Sequence, residues 1–144
     1  MNSISPYIIA VISAWIIAQG LKYVLSSIRN KSFKRNVRQL YLSGNMPSAH
    51  SATVIALLTV IGVKDGIDTA IFAIATLFSS IVMYDAMMVR RSSGEQGKAL
   101  TELIKENNSK IRLPRVAKGH SPIEVLVGAI IGVAVGCVVI FITS

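Results

Sequence analysis

Cysteine is nearly absent from this 144-residue sequence. The one residue of this type, Cys137, lies within an apolar run, so an internal disulfide is ruled out and a cysteine-based zinc cluster is not expected. Acidic residues are also few, with seven Asp and Glu against fifteen Lys and Arg. A basic segment is missing before the first apolar run, which is itself long enough to span a membrane, so a cleavable signal peptide is not predicted.

Long stretches of the chain carry no charge, and hydrophobic residues make up 52% of the sequence. Soluble domains usually contain roughly 45–50%, counting glycine. Both features indicate an integral membrane protein, and the length suits a single domain over residues 1–144. The net charge of +8 would also suit nucleic-acid binding. However, the basic residues flank apolar segments, where membrane topology accounts for them, so no nucleic-acid partner is predicted.

Four apolar segments predict four membrane-spanning helices and therefore an all-α four-helix bundle. They cover about residues 4–25, 47–63, 67–89 and 122–142. The second reaches a spanning length only when residues 47–50 form its first turn, because the run 51–63 is shorter than the roughly 17–25 residues that a span needs. A tight turn is predicted at Lys64, Asp65 and Gly66, between the second and third spans.

Lysine and arginine are distributed unevenly among the connectors between these spans. Residues 22–38 carry six of them and residues 90–118 carry eight, whereas Lys64 stands alone after the second span. By the positive-inside tendency, the two basic connectors are expected to be cytoplasmic, with both termini outside the cell membrane.

Residues 92–119 are predicted to include a cytoplasmic amphipathic helix at the membrane surface or at the top of the bundle. Its apolar positions share one helical face: Leu100, Leu103 and Ile104. The fourth span carries small residues every four positions, at Gly128, Gly132 and Gly136. Such a stripe lets another helix approach closely, either within this chain or in a second copy, so a homo-oligomer is an open expectation.

The predicted topology brings ionisable side chains from four helix ends to one membrane face. They are Lys22 and Arg29 in the first span, His50 in the second, Asp85, Arg90 and Arg91 in the third, and His120 and Glu124 in the fourth. Ionisable groups at membrane depth are functional by default. These types suit phosphoryl transfer, because cations and helix N-termini offset phosphate charge, while one imidazole attacks phosphorus and another protonates the leaving oxygen.

His120 and Glu124 are four residues apart, so the carboxylate is expected to hold one ring nitrogen and leave the other free for attack. The same Glu124 completes a capping box that begins at Ser121. The two roles are expected to coexist only if Glu124 divides its oxygens between them. The other candidates have structural alternatives: snorkelling for Lys22, capping for Ser48, packing or capping for His50, membrane anchoring for Arg90 and Arg91, and neutralisation of a buried cation for Asp85.

At these positions the sequence resembles the phosphatidic acid phosphatase type 2 superfamily, which includes the vanadium haloperoxidases. Lys22 and Arg29 match the spacing of its first motif, with Asn30 in place of the usual proline. Residues 47–50, Pro-Ser-Ala-His, are similar to its Pro-Ser-Gly-His motif, with Ala49 in place of glycine.

The third motif of that superfamily, Ser-Arg followed by His and then by Asp four residues later, is split here. Arg90 or Arg91 ends the third span as the motif's arginine would, and His120 with Glu124 resembles its His and Asp. Arg115, five positions before His120, is an alternative arginine. More closely, residues 44–52, 84–91 and 119–125 resemble a divergent bacterial and plastid branch of the superfamily, and this likeness covers nearly the whole chain.

The resemblance implies a membrane-embedded phosphatase acting on lipid phosphates or diphosphates, with membrane lipids around it and with neither a metal nor a cofactor. It implies that His120 is the nucleophile that forms a phosphohistidine, that Glu124 orients it and that His50 is the general acid. The implied phosphate-binding residues are Lys22, Arg29, Ser48 and Arg90 or Arg91, with Asp85 in support. Two other functions stay open: a catalytically inactive protein that binds anions or lipid headgroups, and a small oligomeric membrane scaffold built on the glycine stripe.

Overall fold

The structure is a computed structural model that describes residues 5–30, 46–114, 116 and 119–144, without the side chains of residues 29 and 30. Within this part of the chain every regular element is helical, which confirms the predicted all-α fold class. The helices are α1 (Pro6–Asn30), α2 (Ala49–Lys64), α3 (Ala70–Tyr84), α4 (Arg90–Glu106) and α5 (Pro122–Thr143). A π-helical turn, Asp85–Val89, joins α3 to α4 without a break.

Three of the predicted spans are helices long and apolar enough to cross a membrane. They are α1 over Pro6–Ile28, the continuous run Ala70–Glu106, and α5. The second predicted span is shorter, because α2 has 16 residues, or about 24 Å at 1.5 Å per residue, against roughly 30 Å of hydrocarbon core. This helix begins at Ala49 rather than at Pro47, since Ser48 is its N-cap.

The short helix α2 lies at the centre of the bundle, where it packs against α1, α3 and α5. A Cβ added at Gly132 of α5 would lie 2.5 Å from the carbonyl oxygen of Ala52. One added at Gly136 would lie 2.8 Å from the Cβ of Thr59. Glycine therefore lets the two helices approach closely. The glycine stripe packs on α2 of the same chain, which is one of the two arrangements that the sequence left open.

Small residues also line the inner face of α1. Ala10, Ala14 and Ala18 are fully buried at four-residue spacing, so they share one face of the helix. They join a buried core with Ala49, Ala52, Ala56, Val60, Val135 and Val139. Large apolar side chains such as Trp15 and Phe141 are exposed on the outside. This distribution is expected where lipid, rather than water, surrounds the helices.

Polar contacts connect the helices at the end of the bundle where α1 begins and α5 ends. The Tyr7 hydroxyl lies 2.8 and 2.9 Å from the two oxygens of Asp65 and donates to this carboxylate. Lys64 Nζ donates to the carbonyl oxygen of Thr143 at 3.3 Å. The predicted tight turn is present, with Gly66 at a φ of 101°, a conformation that glycine adopts without steric cost. The opposite end therefore gathers the end of α1, the starts of α2 and α5, and the π-helical turn.

The predicted amphipathic helix between the third and fourth spans is present as α4, but it does not follow a loop. It continues α3 through the π-helical turn, so that one helical run of 37 residues results. Ile104 is buried, whereas Leu100 and Leu103 are 48% and 55% exposed. Of the three apolar side chains on the predicted face, only Ile104 is therefore buried by other described residues.

Candidate functional site

Backbone hydrogen bonds connect three helix ends at the end of the bundle that carries the predicted site residues. The N–H of Ser48, just before α2, donates to the carbonyl oxygen of Glu124 at 3.1 Å. The N–H of His120, just before α5, donates to the carbonyl oxygen of Ala86 in the π-helical turn at 2.9 Å. These bonds fix the starts of α2 and α5 relative to the π-helical turn, and they fix the histidine-bearing segments with them.

The predicted pairing of His120 with Glu124 is present, with Nδ1 of the ring 3.1 Å from Oε2 of the carboxylate. The capping box is also present: the Ser121 N–H donates to Oε2 of Glu124 at 3.0 Å, and the Ser121 hydroxyl accepts the Glu124 N–H at 3.4 Å. The expectation that Glu124 must divide its oxygens is wrong, because Oε2 makes both contacts. The pairing leaves Nε2 of His120 free of Glu124.

Burial has the largest effect on the protonation of His120, which lies just before α5 and is only 2% exposed. Burial lowers the pKa of His120 below its ordinary value, since desolvation disfavours the charged imidazolium. The hydrogen bond and negative charge of Glu124 raise this pKa, while the positive charges of Lys22 and Arg90 lower it. The ring is therefore favoured as neutral imidazole near neutral pH. With Nδ1–H donated to Glu124, the free lone pair is on Nε2.

His50 lies in the first turn of α2, and it is exposed. Four charged or titratable groups lie within electrostatic range of it: Arg90, His120, Lys22 and Asp85. Lys22, by contrast, is only 6% exposed and lies within electrostatic range of Glu124. It takes part in none of the ion pairs found among the described residues. The structure thus brings together both histidines, the buried lysine and Arg90.

The two adjacent arginines have different surroundings, although the sequence did not distinguish them. Arg90 Nε lies 2.7 Å from Oδ2 of Asp85, and both side chains are partly buried. Arg91 is exposed and pairs with Glu95 at 3.2 Å, four residues along the same helix. Of these four side chains, Arg90 and Asp85 lie within electrostatic range of His50. The contact of Asp85 with the partly buried Arg90 also fits the structural alternative for Asp85, which was neutralisation of a buried cation.

Ser48 has the geometry of a helix cap. It is fully buried, and its hydroxyl oxygen lies 2.9 Å from the Ser51 hydroxyl and 3.4 Å from the Ser51 N–H. These are contacts within α2 and its cap, as the capping alternative predicts. The neighbouring Ala49 is 3% exposed and belongs to the buried core cluster. The methyl group that distinguishes Ala49 from the glycine of the superfamily motif therefore packs in the core.

Two predicted cations fall where the structure gives no side chain. The backbone of Arg29 is part of α1, but its side chain is not among the described residues, and Arg115 also lies outside them. Within the described residues, His, Cys, Asp and Glu side chains form no group of three or more that could hold a metal ion. The side chains that the structure brings to the site are suited to binding an anion.

Sequence patterns missed three residues that shape the site. Ser51 supports the cap at Ser48, and Ala86 offers its carbonyl to the His120 N–H. At Gly119 an added Cβ would lie 2.6 Å from the backbone nitrogen of Arg91. A glycine directly before a candidate nucleophile was a usable signal, since glycine marks close backbone approach. The alanine carbonyl left no signal in the sequence.

Comparison with known proteins agrees with the resemblance seen in the sequence. Residues 4–135 match the family described as the Divergent PAP2 family. An uncharacterized membrane protein of Bacillus subtilis (strain 168), YuiD, is 32% identical over 137 residues, covering 85% of each chain. No solved structure matches. With the helical architecture of the described residues and its three membrane-spanning helices, these matches show that the chain belongs to the divergent branch of the phosphatidic acid phosphatase type 2 family.

Proposed function

We propose that this protein is a membrane-embedded phosphatase that hydrolyses lipid phosphates or diphosphates through a phosphohistidine intermediate. The observation that carries the proposal is the state of His120, which is buried, held by Glu124 at Nδ1 and within electrostatic range of Lys22 and Arg90. A neutral imidazole with a free nitrogen beside two cations has the properties that nucleophilic attack on a phosphate requires.

In the first step, Nε2 of His120 attacks phosphorus, and the bond between phosphorus and the lipid oxygen breaks. Protonated His50 donates its proton to this leaving oxygen. The positive charge that develops on the phosphorylated ring is stabilised by Glu124. Lys22 and Arg90 offset the charge of the phosphoryl oxygens, with help from the positive ends of the helix dipoles at the starts of α2 and α5.

In the second step, water attacks the phosphorus of the phosphohistidine, and His50, now neutral, accepts a proton from that water. The bond between phosphorus and Nε2 breaks, inorganic phosphate leaves, and His120 returns to its neutral form. Both proton transfers use His50, so one complete cycle restores the starting protonation state of each histidine.

Four further residues have supporting roles in this proposal. Arg29 is a second cation of α1, two helical turns after Lys22. Asp85 orients Arg90, and the exposed Arg91 contributes charge at the rim. Ser48 serves the site as the cap of α2. The positive-inside tendency puts this end of the bundle at the cytoplasmic face of the cell membrane, with both termini outside.

The experiment is phosphate release from phosphatidic acid and prenyl diphosphates by the purified protein, in detergent and in liposomes. We expect activity in the wild type and loss of it in His120→Ala and His50→Ala, with Tyr7→Phe at the opposite end of the bundle as an active control. A phosphohistidine should be trapped in the wild type and absent from His120→Ala. Equally poor phosphate release by the wild type and both histidine variants, across a broad lipid panel, would refute the proposal.

A second candidate is a protein that binds lipid headgroups without turnover. The observation that favours it is Ser48, a phosphate ligand by resemblance, whose hydroxyl is fully buried and contacts Ser51. This candidate predicts headgroup binding that Lys22→Ala weakens, with no phosphohistidine in the wild type. Trapping the phosphohistidine distinguishes the two candidates directly.

A further inference from the structure

The π-helical turn Asp85–Val89 changes the hydrogen bonding of the long helix formed by α3 and α4. In an α-helix the N–H of Arg90 would bond to the carbonyl of Ala86, but here it bonds to the carbonyl of Asp85. The Ala86 carbonyl therefore loses its α-helical donor, and the N–H of His120 takes that place at 2.9 Å. Since Ala86 is 2% exposed, this bond satisfies a buried acceptor and holds the His120 backbone on the turn.

The same turn also orients Arg90. Asp85 and Arg90 are five residues apart, so in an α-helix of 3.6 residues per turn they would point about 140° apart. The i→i+5 bonding of the π-helical turn brings them to the same side, where Nε of Arg90 lies 2.7 Å from Oδ2 of Asp85. This contact uses Nε and leaves the terminal nitrogens of the guanidinium for an anion.

Gly119 lets the segment before α5 reach the turn. An added Cβ would lie 2.6 Å from the backbone nitrogen of Arg91 and 2.7 Å from its Cα. Backbone atoms inside a helix cannot move aside as the end of a flexible side chain can. A larger residue at this position would therefore push His120 away from the carbonyl of Ala86.

We propose that the π-helical turn Asp85–Val89 is the positioning element of the site, which sets the separation between the Arg90 guanidinium and the His120 imidazole. The proposal rests on the proposed function, because it assumes that both groups serve one phosphate. The π-helical turn explains how Arg90 and His120, which are far apart in the sequence, can serve the same phosphate. Asp85 and Gly119 are positioning residues, since they act through Arg90 and His120.

Deletion of Met88 tests the proposal, because removing one residue from the turn restores α-helical spacing. The carbonyl of Ala86 then receives the N–H of Arg91 within the helix, and His120 loses its acceptor. The matched control is Met88→Ala, which keeps the number of residues and removes a side chain that is 55% exposed. The readouts are kcat and KM for phosphatidic acid, affinity for orthovanadate as a phosphate analogue, and hydrogen exchange of the His120 amide.

We expect the deletion to lower kcat by about 100-fold with a smaller change in KM, since misplacement by 1 Å has effects of this size. Orthovanadate affinity should fall with it, and the His120 amide should exchange faster. Met88→Ala should stay close to the wild type in each readout. Gly119→Ala keeps the helix intact and should give the same pattern as the deletion, so the test survives if the deletion variant does not fold.

The outcomes separate this proposal from the proposed function. If the wild type hydrolyses no lipid but binds orthovanadate, and the deletion or Gly119→Ala weakens that binding, the phosphatase function fails while the positioning role stands. If the variants keep wild-type kcat, orthovanadate affinity and amide protection, the positioning role is overturned. It is also overturned if the wild type neither hydrolyses a lipid phosphate nor binds orthovanadate.

Discussion

Replacing Gly132 with alanine tests the close packing of α5 on α2. The added Cβ would lie 2.5 Å from the carbonyl oxygen of Ala52, 2.9 Å from the Cβ of Ile55 and 3.0 Å from the backbone nitrogen of Ala56. Carbon–oxygen contacts of this kind are usually 3.3–3.6 Å, so the helices must separate locally by about 1 Å. Two of the three atoms are backbone, which excludes relief by a change of rotamer.

Overpacking of this kind costs about 1–3 kcal/mol, and a separation of 0.5–1 Å also loses a quarter to a half of the attraction at the affected contacts. We therefore expect a loss near the upper value, about 3 kcal/mol, which is roughly a 100-fold change in the folding equilibrium. The control is Gly20→Ala in α1, where no atom lies within 4 Å of the added Cβ.

The assay is the fraction of monodisperse protein that remains after heating in detergent, measured by size-exclusion chromatography. Gly132→Ala should lose this fraction at a clearly lower temperature than the wild type, whereas Gly20→Ala should not, because alanine is the better helix former. Equal thermal behaviour of the two variants would refute the close approach of α5 and α2.

Three further predictions concern single contacts. Because burial lowers the pKa of His120 below its ordinary 6.5, the neutral nucleophile should persist as the pH falls through that value. Glu124→Gln removes the interactions that raise this pKa, so the acidic limb of the pH–rate profile should move to still lower pH. An unchanged limb would contradict the pairing of His120 with Glu124. Arg90→Ala should reduce kcat/KM strongly and Arg91→Ala only slightly in steady-state kinetics, since Arg91 is exposed and pairs outside the site; equal losses would contradict this distinction. Tyr7→Phe removes an exposed hydrogen bond to Asp65, so the apparent Tm should fall only slightly while phosphate release is unchanged, and loss of release would contradict the remote position of Tyr7.

Much of the fold could be predicted because membrane-spanning helices depend on the length of an uncharged run, which a sequence displays directly. The continuity of α3 with α4 could not. After Val89 the sequence becomes polar, and a polar stretch beside a span is usually interpreted as a connector. Yet Arg90–Glu106 is rich in good helix formers, and a helix needs no apolar face where it leaves the membrane.

The site was predictable where it depends on helical spacing, as in the pairing of His120 with Glu124. The choice between Arg90 and Arg91 was not, because α-helical geometry points Asp85 away from Arg90. A π-helical turn reverses that geometry, and its residues, Asp85–Val89, carry no recognisable signal for it. Similarly, the sharing of one Glu124 oxygen depends on side-chain conformation, which spacing does not determine.

Ala49 has a methyl group where the superfamily motif has glycine, which would leave room for the backbone to approach phosphate. The residue is only 3% exposed and belongs to the core cluster, so the methyl group packs in the core instead. Glycine at this position would leave a small cavity and a less favourable residue at the start of α2, so Ala49→Gly should destabilise the protein by about 1–2 kcal/mol. It should not raise kcat, since the methyl does not line the site. Measured together, thermal stability and phosphate release test this directly. A glycine variant with higher kcat would show that the methyl does obstruct the phosphate.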